Sequence, residues 1–149
     1  MRRLALCSIS LLLLSTAVCQ ARDVAVITDK GNSSGAVTAK DLTKLLRIET
    51  PKWPDGKKVT VFLSDPSSAD GKVLLEKVYG MTPSALRSFV EAQKGVIVIL
   101  ASDEEVLRAV AGQPGAIGVV NVYSITSAVK VLKVDGKLPL EQGYLLHGQ

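Results

Sequence analysis

The sequence has very few of the residues that carry most catalytic and redox chemistry. It contains two cysteines, Cys7 and Cys19, and one histidine, His147. Both cysteines lie in an apolar N-terminal segment, so a Cys–His pair or a metal site of these residue types has no support in the rest of the chain. Nucleophile-elbow and phosphate-cradling P-loop patterns are absent too. We therefore expect no enzyme activity, no metal and no other cofactor. His147 lies near the C-terminus, and we expect a mobile histidine without partners for a metal site or a catalytic triad.

The sequence also has few aromatic residues and only a small excess of positive charge. Aromatic residues make up 4% of the chain, and the formal net charge is only +4. The basic residues are scattered, and after the N-terminal region only Lys57 and Lys58 are adjacent. Nucleic-acid-binding surfaces typically group basic and aromatic side chains. We therefore expect no nucleic-acid partner.

The first 21 residues have the three parts of a secretory signal peptide. Arg2 and Arg3 precede an apolar stretch over residues 4–18, and small residues stand where signal peptidase would cleave after Ala21. The stretch is shorter than the roughly 20 residues that span a bilayer. We predict a signal peptide over residues 1–21 and a periplasmic or secreted domain over residues 22–149, without a transmembrane segment. A lipid anchor on Cys19 is the alternative, although Val18 lies where lipoproteins usually have a smaller residue.

Cleavage after Ala21 would leave 128 residues, no cysteine and a formal net charge of +2. A chain of this length suits one domain with a single core. Without a disulfide, such a domain depends on burial of apolar side chains for its stability.

Segments with strand-like and helix-like patterns alternate along the chain, which indicates an α/β layered structure. Strands are predicted over residues 24–28, 58–63, 96–100, 116–120 and 129–134, although the all-apolar run 96–100 could also be a loop that crosses the core. Helices are predicted where a hydroxyl residue is followed by an acid three positions later or by proline. These helix starts are at Thr38, Ser67, Thr82 and Ser102.

Several single positions have specific expectations. Gly118 lies in a predicted central strand, which suggests close backbone approach. Trp53, the only tryptophan, is expected to fix the turn between a helix and the next strand. Asp135 and Gly136 form a tight turn, and the tail from residue 138 to 149 is expected to add little.

Four stretches of the sequence occur in an order typical of one protein family. They are residues 42–56, the polar loop and helix that end at 78–82, residues 102–120 and residues 129–136. The most specific is the Pro-Gly-Ala-Ile-Gly run at 114–118, which follows a capped helix. In this order the chain resembles the phosphate-type periplasmic substrate-binding proteins of ABC transporters over residues 24–137. The resemblance implies one lobe of a type II binding-protein fold, with a mixed, mostly parallel sheet flanked by helices.

The same resemblance implies a protein that closes on an oxyanion between two lobes, of which this chain supplies one. The family carries its anion site in a loop at a helix N-terminus, where backbone N–H groups and the helix dipole favour negative charge. That loop corresponds to residues 64–71 here, and the family tolerates an acid that accepts a proton from the ligand. A second polar loop follows the first strand, at an end of the sheet where ligands often bind. The candidate ligand residues are Ser64, Ser67, Ser68, Asp70, Asn32 and Ser33.

Both loops also have plainer interpretations. Ser67 with Asp70 is a helix cap without a ligand, and residues 32–34 form an ordinary turn. Lys72 and Arg87 could supply countercharge, or they could lie on solvated helix faces.

Two functions therefore remain open. The first is an exported solute-binding domain for phosphate or a related oxyanion, which a homodimer could complete. The second is a non-catalytic interaction or accessory domain that has lost its ligand and contacts another envelope protein.

Overall fold

The computed structural model describes residues 22–148. The predicted signal peptide and Cys19 lie outside the described residues. Four helices occur in the described part: α1 (Ala39–Leu46), α2 (Ala69–Leu74), α3 (Pro83–Ala92) and α4 (Asp103–Gly112). A π-helical turn, Leu75–Tyr79, continues α2, and a 3-10 turn covers Val122–Ser124. The strands are β1 (Arg22–Asp29), β2 (Ala36–Val37), β3 (Thr60–Leu63), β4 (Ile97–Ile99), β5 (Ala116–Asn121), β6 (Val129–Val131), β7 (Lys133–Val134) and β8 (His147–Gly148).

Six of these strands form one mixed sheet. Their order is β4-β3-β5-β1-β6, and β8 also pairs with β1. Strand β3 pairs in parallel with β4 and β5, whereas β1 is antiparallel to β5, β6 and β8. All strands of this sheet except β1 therefore point in the same direction. The predicted mixed, mostly parallel sheet is confirmed.

Helices cover both faces of the sheet. Val24 and Val26 of β1 pack with helices α1 to α3, and Ala25 and Ile27 pack against α4 on the other face. Because both faces are covered, every residue of β1 after Arg22 is buried. Strands buried on both faces are typical of α/β layered proteins. No helix within residues 22–148 has the length and apolar character needed to cross a lipid bilayer.

Three of the four predicted helix starts are confirmed. Thr38, Thr82 and Ser102 are the N-caps of α1, α3 and α4, and each side chain accepts a hydrogen bond from the backbone N–H three residues later. The run over residues 96–100 does contain a strand, β4, which pairs with β3.

Gly118 is a position where α4 lies directly on the sheet. A Cβ at this residue would be 2.8 Å from side-chain carbons of both Val106 and Val110, and 3.3 Å from the carbonyl oxygen of Phe62. The predicted close approach is therefore confirmed. The missing side chain allows α4 to pack against the centre of the sheet.

We predict that Gly118→Ala destabilises the protein by about 1–3 kcal/mol, because the added methyl group overpacks this contact. The matched control is Gly112→Ala at the end of α4, where nothing lies within 4 Å of an added Cβ. This control should be neutral or stabilising by up to about 1 kcal/mol. Urea denaturation of both variants measures the difference, and equal midpoints would contradict the packing argument.

The single strand predicted over residues 129–134 is wrong. The structure has two short strands, because β6 pairs with β1 whereas β7 pairs with β2. Leu132 lies between them and is fully buried, so the alternation of buried and exposed residues shifts at this point. The turn at Asp135 and Gly136 is confirmed, and both residues have positive φ.

The prediction that the C-terminal tail adds little is also wrong. The Tyr144 hydroxyl donates a hydrogen bond to the Val24 carbonyl at 2.8 Å, and the Val24 N–H donates to the Leu146 carbonyl at 3.0 Å. Tyr144 and Leu146 are buried in the core beside α1 to α3. His147 lies in β8, which pairs with β1, and it contacts the Asp23 carboxylate, so it is held in place and not mobile as predicted.

Burial raises the pKa of Tyr144, and the nearby Asp23 carboxylate adds to this rise. The folded protein therefore keeps this hydroxyl neutral at pH values where an unfolded tyrosine, with a pKa of about 10, ionises. Tyr79 behaves in the same way, mainly because of burial. The contribution of these two hydroxyl groups to the free energy of unfolding is thus complete below about pH 10 and falls as the pH rises above that value.

We predict that Tyr144→Phe loses about 1 kcal/mol at neutral pH with its hydrogen bond. Between about pH 8 and pH 11, its free energy of unfolding should fall less than that of the parent protein. Urea titrations at the two pH values test this. An equal fall in both proteins would mean that Tyr144 does not contribute to the alkaline loss of stability.

Candidate functional site

The ends of β3 and β5 bring polar residues together at one edge of the sheet, called here the carboxyl edge. The loop over residues 64–71 follows β3, and Asn121 is the last residue of β5. Strand β1 runs the opposite way, so its first residue, Arg22, lies at the same edge. The Asn121 amide donates to both Asp70 carboxylate oxygens, at 3.1 and 3.2 Å, and an Arg22 guanidinium nitrogen is 4.0 Å from Asp70.

Ser68, and not Ser67, caps α2. Its hydroxyl accepts a hydrogen bond from the Gly71 N–H at 3.0 Å and donates to the Asp65 carbonyl at 2.6 Å. The predicted cap at Ser67 is wrong because the Ser67 N–H donates to the Asp65 side chain at 2.8 Å, and that turn moves the helix start one residue on. The Ser67 side chain is consequently exposed to solvent.

Both acids of this loop have positively charged neighbours. The Arg87 guanidinium lies 3.0 Å from the Asp65 carboxylate. Asp70 has Arg22 at 4.0 Å in addition to the Asn121 amide. These exposed pairs are individually weak, but they bring the local charge close to zero. The loop therefore repels an anion less than its two carboxylates alone would.

The loop packs closely on the start of α2. A Cβ at Gly71 would lie 2.4 Å from the Asp65 carbonyl oxygen and 2.7 Å from Pro66 backbone atoms. The cavity beneath the loop, lined by Ser64 and Asp70 among others, measures only about 10 Å³. That volume admits one water at most. An oxyanion bound here would lie on the open side of the loop.

The second predicted loop lies at the opposite edge of the sheet. Asn32 and Ser33 follow the end of β1, and Thr28 of β1 is paired with Ile117 near the start of β5. Asn32 is buried; its side chain donates to the Thr28 hydroxyl at 2.9 Å and accepts from the Ser34 N–H at 2.9 Å. The structure thus groups Ser64, Ser67, Ser68 and Asp70, and it separates Asn32 and Ser33 from them.

Two residues at the carboxyl edge, Asn121 and Arg22, were not predicted from the sequence as candidate ligand residues. Asn121 is the first polar residue after the apolar run 116–120, a signal that could have found it. Arg22 carries no such signal, because its position depends on the reversed direction of β1. Behind Asn121, the Asp103 carboxylate accepts hydrogen bonds from the Asn121 N–H and the Ser124 hydroxyl, both at 2.9 Å. These bonds hold the start of α4 beside the end of β5.

Trp53 has the role expected for it. The side chain is buried, and its indole N–H donates to the Gly115 carbonyl at 2.9 Å. This bond joins the turn after α1 to the glycine that precedes β5. Within residues 22–148, no three His, Cys, Asp or Glu side chains are grouped so that they could hold a metal ion.

Solved structures show which proteins share this fold. The ABC-type phosphate transport receptor from Vibrio cholerae superposes with a TM-score of 0.72 at 15% identity, over 86% of this chain and 54% of that protein. PstS from Borrelia burgdorferi gives 0.69 at 20% identity, over 87% and 55%. The phosphate-binding protein from Stenotrophomonas maltophilia gives 0.64 at 15% identity, over 80% and 40%. The fold is that of one lobe of a phosphate-type binding protein.

This likeness confirms the resemblance and the fold predicted from the sequence. The chain spans about half the length of the solved structures it matches. Identities of 15–20% establish a shared fold and leave the ligand to be argued from the site. No protein-family model matches the chain, and no curated protein matches it.

We predict that Ser68→Ala destabilises the protein by about 1 kcal/mol, because α2 loses its cap. Ser67→Ala should change the free energy of unfolding by less than about 0.5 kcal/mol, since the Ser67 side chain is exposed. Thermal or urea denaturation distinguishes the two. A larger loss for Ser67→Ala would show that Ser67 is the cap.

Proposed function

We propose that this chain is an exported solute-binding lobe that binds phosphate or a related oxyanion at its carboxyl edge. The proposal rests on the hydrogen bonds between Asp70 of the serine loop after β3 and Asn121 at the end of β5. These bonds lie in a fold shared with phosphate-binding proteins. Ligands in open α/β sheets favour this edge of the strands. The contact residues would be Ser64, Ser67, Ser68 and Asp70.

The chemistry of these residues suits a partly protonated oxyanion. The exposed Ser67 hydroxyl can donate a hydrogen bond to a phosphate oxygen. The Asp70 carboxylate can accept one from a phosphate hydroxyl, as the family resemblance implies. Arg22, half exposed beside Asp70, supplies positive charge. The acid would thus favour an oxyanion that still carries a proton over one that has none.

A second surface would have to complete the site. The cavity beneath the loop is too small for phosphate, and the chain has about half the length of the binding proteins that share its fold. We infer that another copy of this chain or a different envelope protein closes over the carboxyl edge. The apolar segment and basic residues at the N-terminus support export to the compartment where such partners occur.

Thermal denaturation of residues 22–149 with inorganic phosphate tests the proposal. A ligand that binds only the folded state stabilises it, by about 2.7 kcal/mol at a hundredfold excess over Kd. We expect phosphate to raise Tm more than potassium chloride of equal ionic strength does. Ser67→Ala and Asp70→Asn should each reduce this rise, whereas Ser33→Ala, at the other edge of the sheet, should not.

The outcomes separate the two predicted loops. A phosphate effect that survives Ser67→Ala and Asp70→Asn but disappears in Ser33→Ala would move the site to the opposite edge. The absence of any phosphate effect at millimolar concentration would contradict binding by the isolated lobe.

A second function, an interaction domain without a small ligand, is favoured by Tyr123. This side chain is 79% exposed, two residues after Asn121 at the carboxyl edge. Exposed aromatic residues are enriched at protein interfaces. Light scattering would test self-association: a dimer that Tyr123→Ala converts to a monomer, together with no phosphate effect, would favour this function.

A further inference from the structure

A groove of about 600 Å³ lies on the face of α2 that points away from the serine-loop cavity. The residues that line it have the spacing of one helix face. They are Ala69, Lys72 and Val73 of α2 and Glu76 of the π-helical turn that continues it. Asp70, Gly71 and Leu74 instead line the cavity under the loop. The opposite wall of the groove is formed by the C-terminal tail, including Tyr144, Leu145 and His147. Helix α2 thus lies between the cavity under the serine loop and this groove.

A buried acid holds His147 at the rim of this groove. The Asp23 side chain is only 3% exposed, and its two oxygens contact His147 Nδ1 and the Leu140 N–H, both at 2.5 Å. With the Asp23 carboxylate as acceptor, the donor in this contact is the Nδ1–H of His147. The imidazole is 51% exposed, so Nε2 is the ring nitrogen available to the groove.

The same groove carries two lysines. Lys77 is paired with Glu76 at 3.6 Å, which leaves one acid against two ammonium groups. Within residues 22–148, Lys72 has no carboxylate within 4 Å of its ammonium group. Because Asp23 offsets any charge on His147, the excess of positive charge in the groove comes from the two lysines against Glu76. The two lysines and the imidazole lie on two facing walls. Such a set suits an anion that accepts several hydrogen bonds.

We propose that the groove between α2 and the C-terminal tail is a second anion site, which binds a phosphate group either free or carried by a larger molecule. His147 Nε2–H, Lys72 and Lys77 would donate to the phosphate oxygens, and Asp23 is a positioning residue that orients the imidazole. The volume is in the range of small-molecule sites and exceeds what free phosphate needs. This site goes beyond the proposed function, because it uses the other face of α2.

The single histidine makes the test direct. The protein over residues 22–149 is labelled with ¹⁵N, without an affinity tag. The imidazole signals of His147 are followed by NMR from about pH 5 to pH 8, the range in which histidine side chains in general change charge. Inorganic phosphate and glycerol 3-phosphate are titrated separately, against potassium chloride at matched ionic strength. We expect saturable shifts of the Nε2 signal with at least one phosphate compound. Tighter binding of glycerol 3-phosphate would identify the larger ligand as the preferred source, and equal binding would identify the free ion.

Variants separate this site from the carboxyl edge. Lys72→Gln should weaken the His147 response about two- to fivefold, the usual range for loss of one exposed charge contact. Lys94→Gln is the matched control, because Lys94 lines a different groove beside β4 at the far edge of the sheet. Ser67→Ala should leave the response unchanged. A response equal to that with chloride, or one lost in Ser67→Ala but not in Lys72→Gln, would overturn the proposal.

Discussion

The pairing of β1 with its neighbours is the interaction on which the rest of the structure depends. This strand runs against the others and is covered by helices on both faces. At one end, the Asp29 carboxylate accepts a hydrogen bond from the Gly115 N–H at 2.9 Å, which fixes the start of β5. At the other end, Asp23 holds the C-terminal tail. Because β1 is reversed, its first residue reaches the same edge at which β3 and β5 end.

Local sequence signals predicted the parts of the fold that local physics decides. The caps at Thr38, Thr82 and Ser102 are confirmed because a hydroxyl side chain and the N–H three residues later lie within one turn. One local prediction is wrong, because the turn that Asp65 makes with the Ser67 N–H moves the cap to Ser68. The other wrong predictions depend on distant partners. The predicted strand at 129–134 divides because its two halves pair with different strands. The C-terminal tail packs because its strand β8 pairs with Arg22 and Asp23 of β1. Neither partner can be read from the neighbouring residues.

The sequence likewise predicted only the part of the candidate site that depends on neighbouring residues. The loop over residues 64–71 could be found from its serines and the helix that follows. The contact between Asp70 and Asn121 could not be predicted in this way. The two residues are 51 positions apart, and their contact requires β3 and β5 to be parallel neighbours. Asn32 and Ser33 follow a strand just as the serine loop does. Only the reversed direction of β1 places them at the opposite edge of the sheet.

Charge distinguishes the two faces of α2. In the loop at the carboxyl edge, Asp65 and Asp70 each have an arginine neighbour, so an anion there would be held mainly by hydroxyl and backbone donors, and a protonated oxyanion would have the advantage. In the groove on the other face, the Asp23 carboxylate offsets His147, and two lysines face one glutamate, so charge itself would attract the ligand. Attraction by exposed charges weakens with salt, whereas short hydrogen bonds to neutral donors weaken much less. Phosphate binding at the two faces should therefore differ in its salt dependence, even though one short helix builds both.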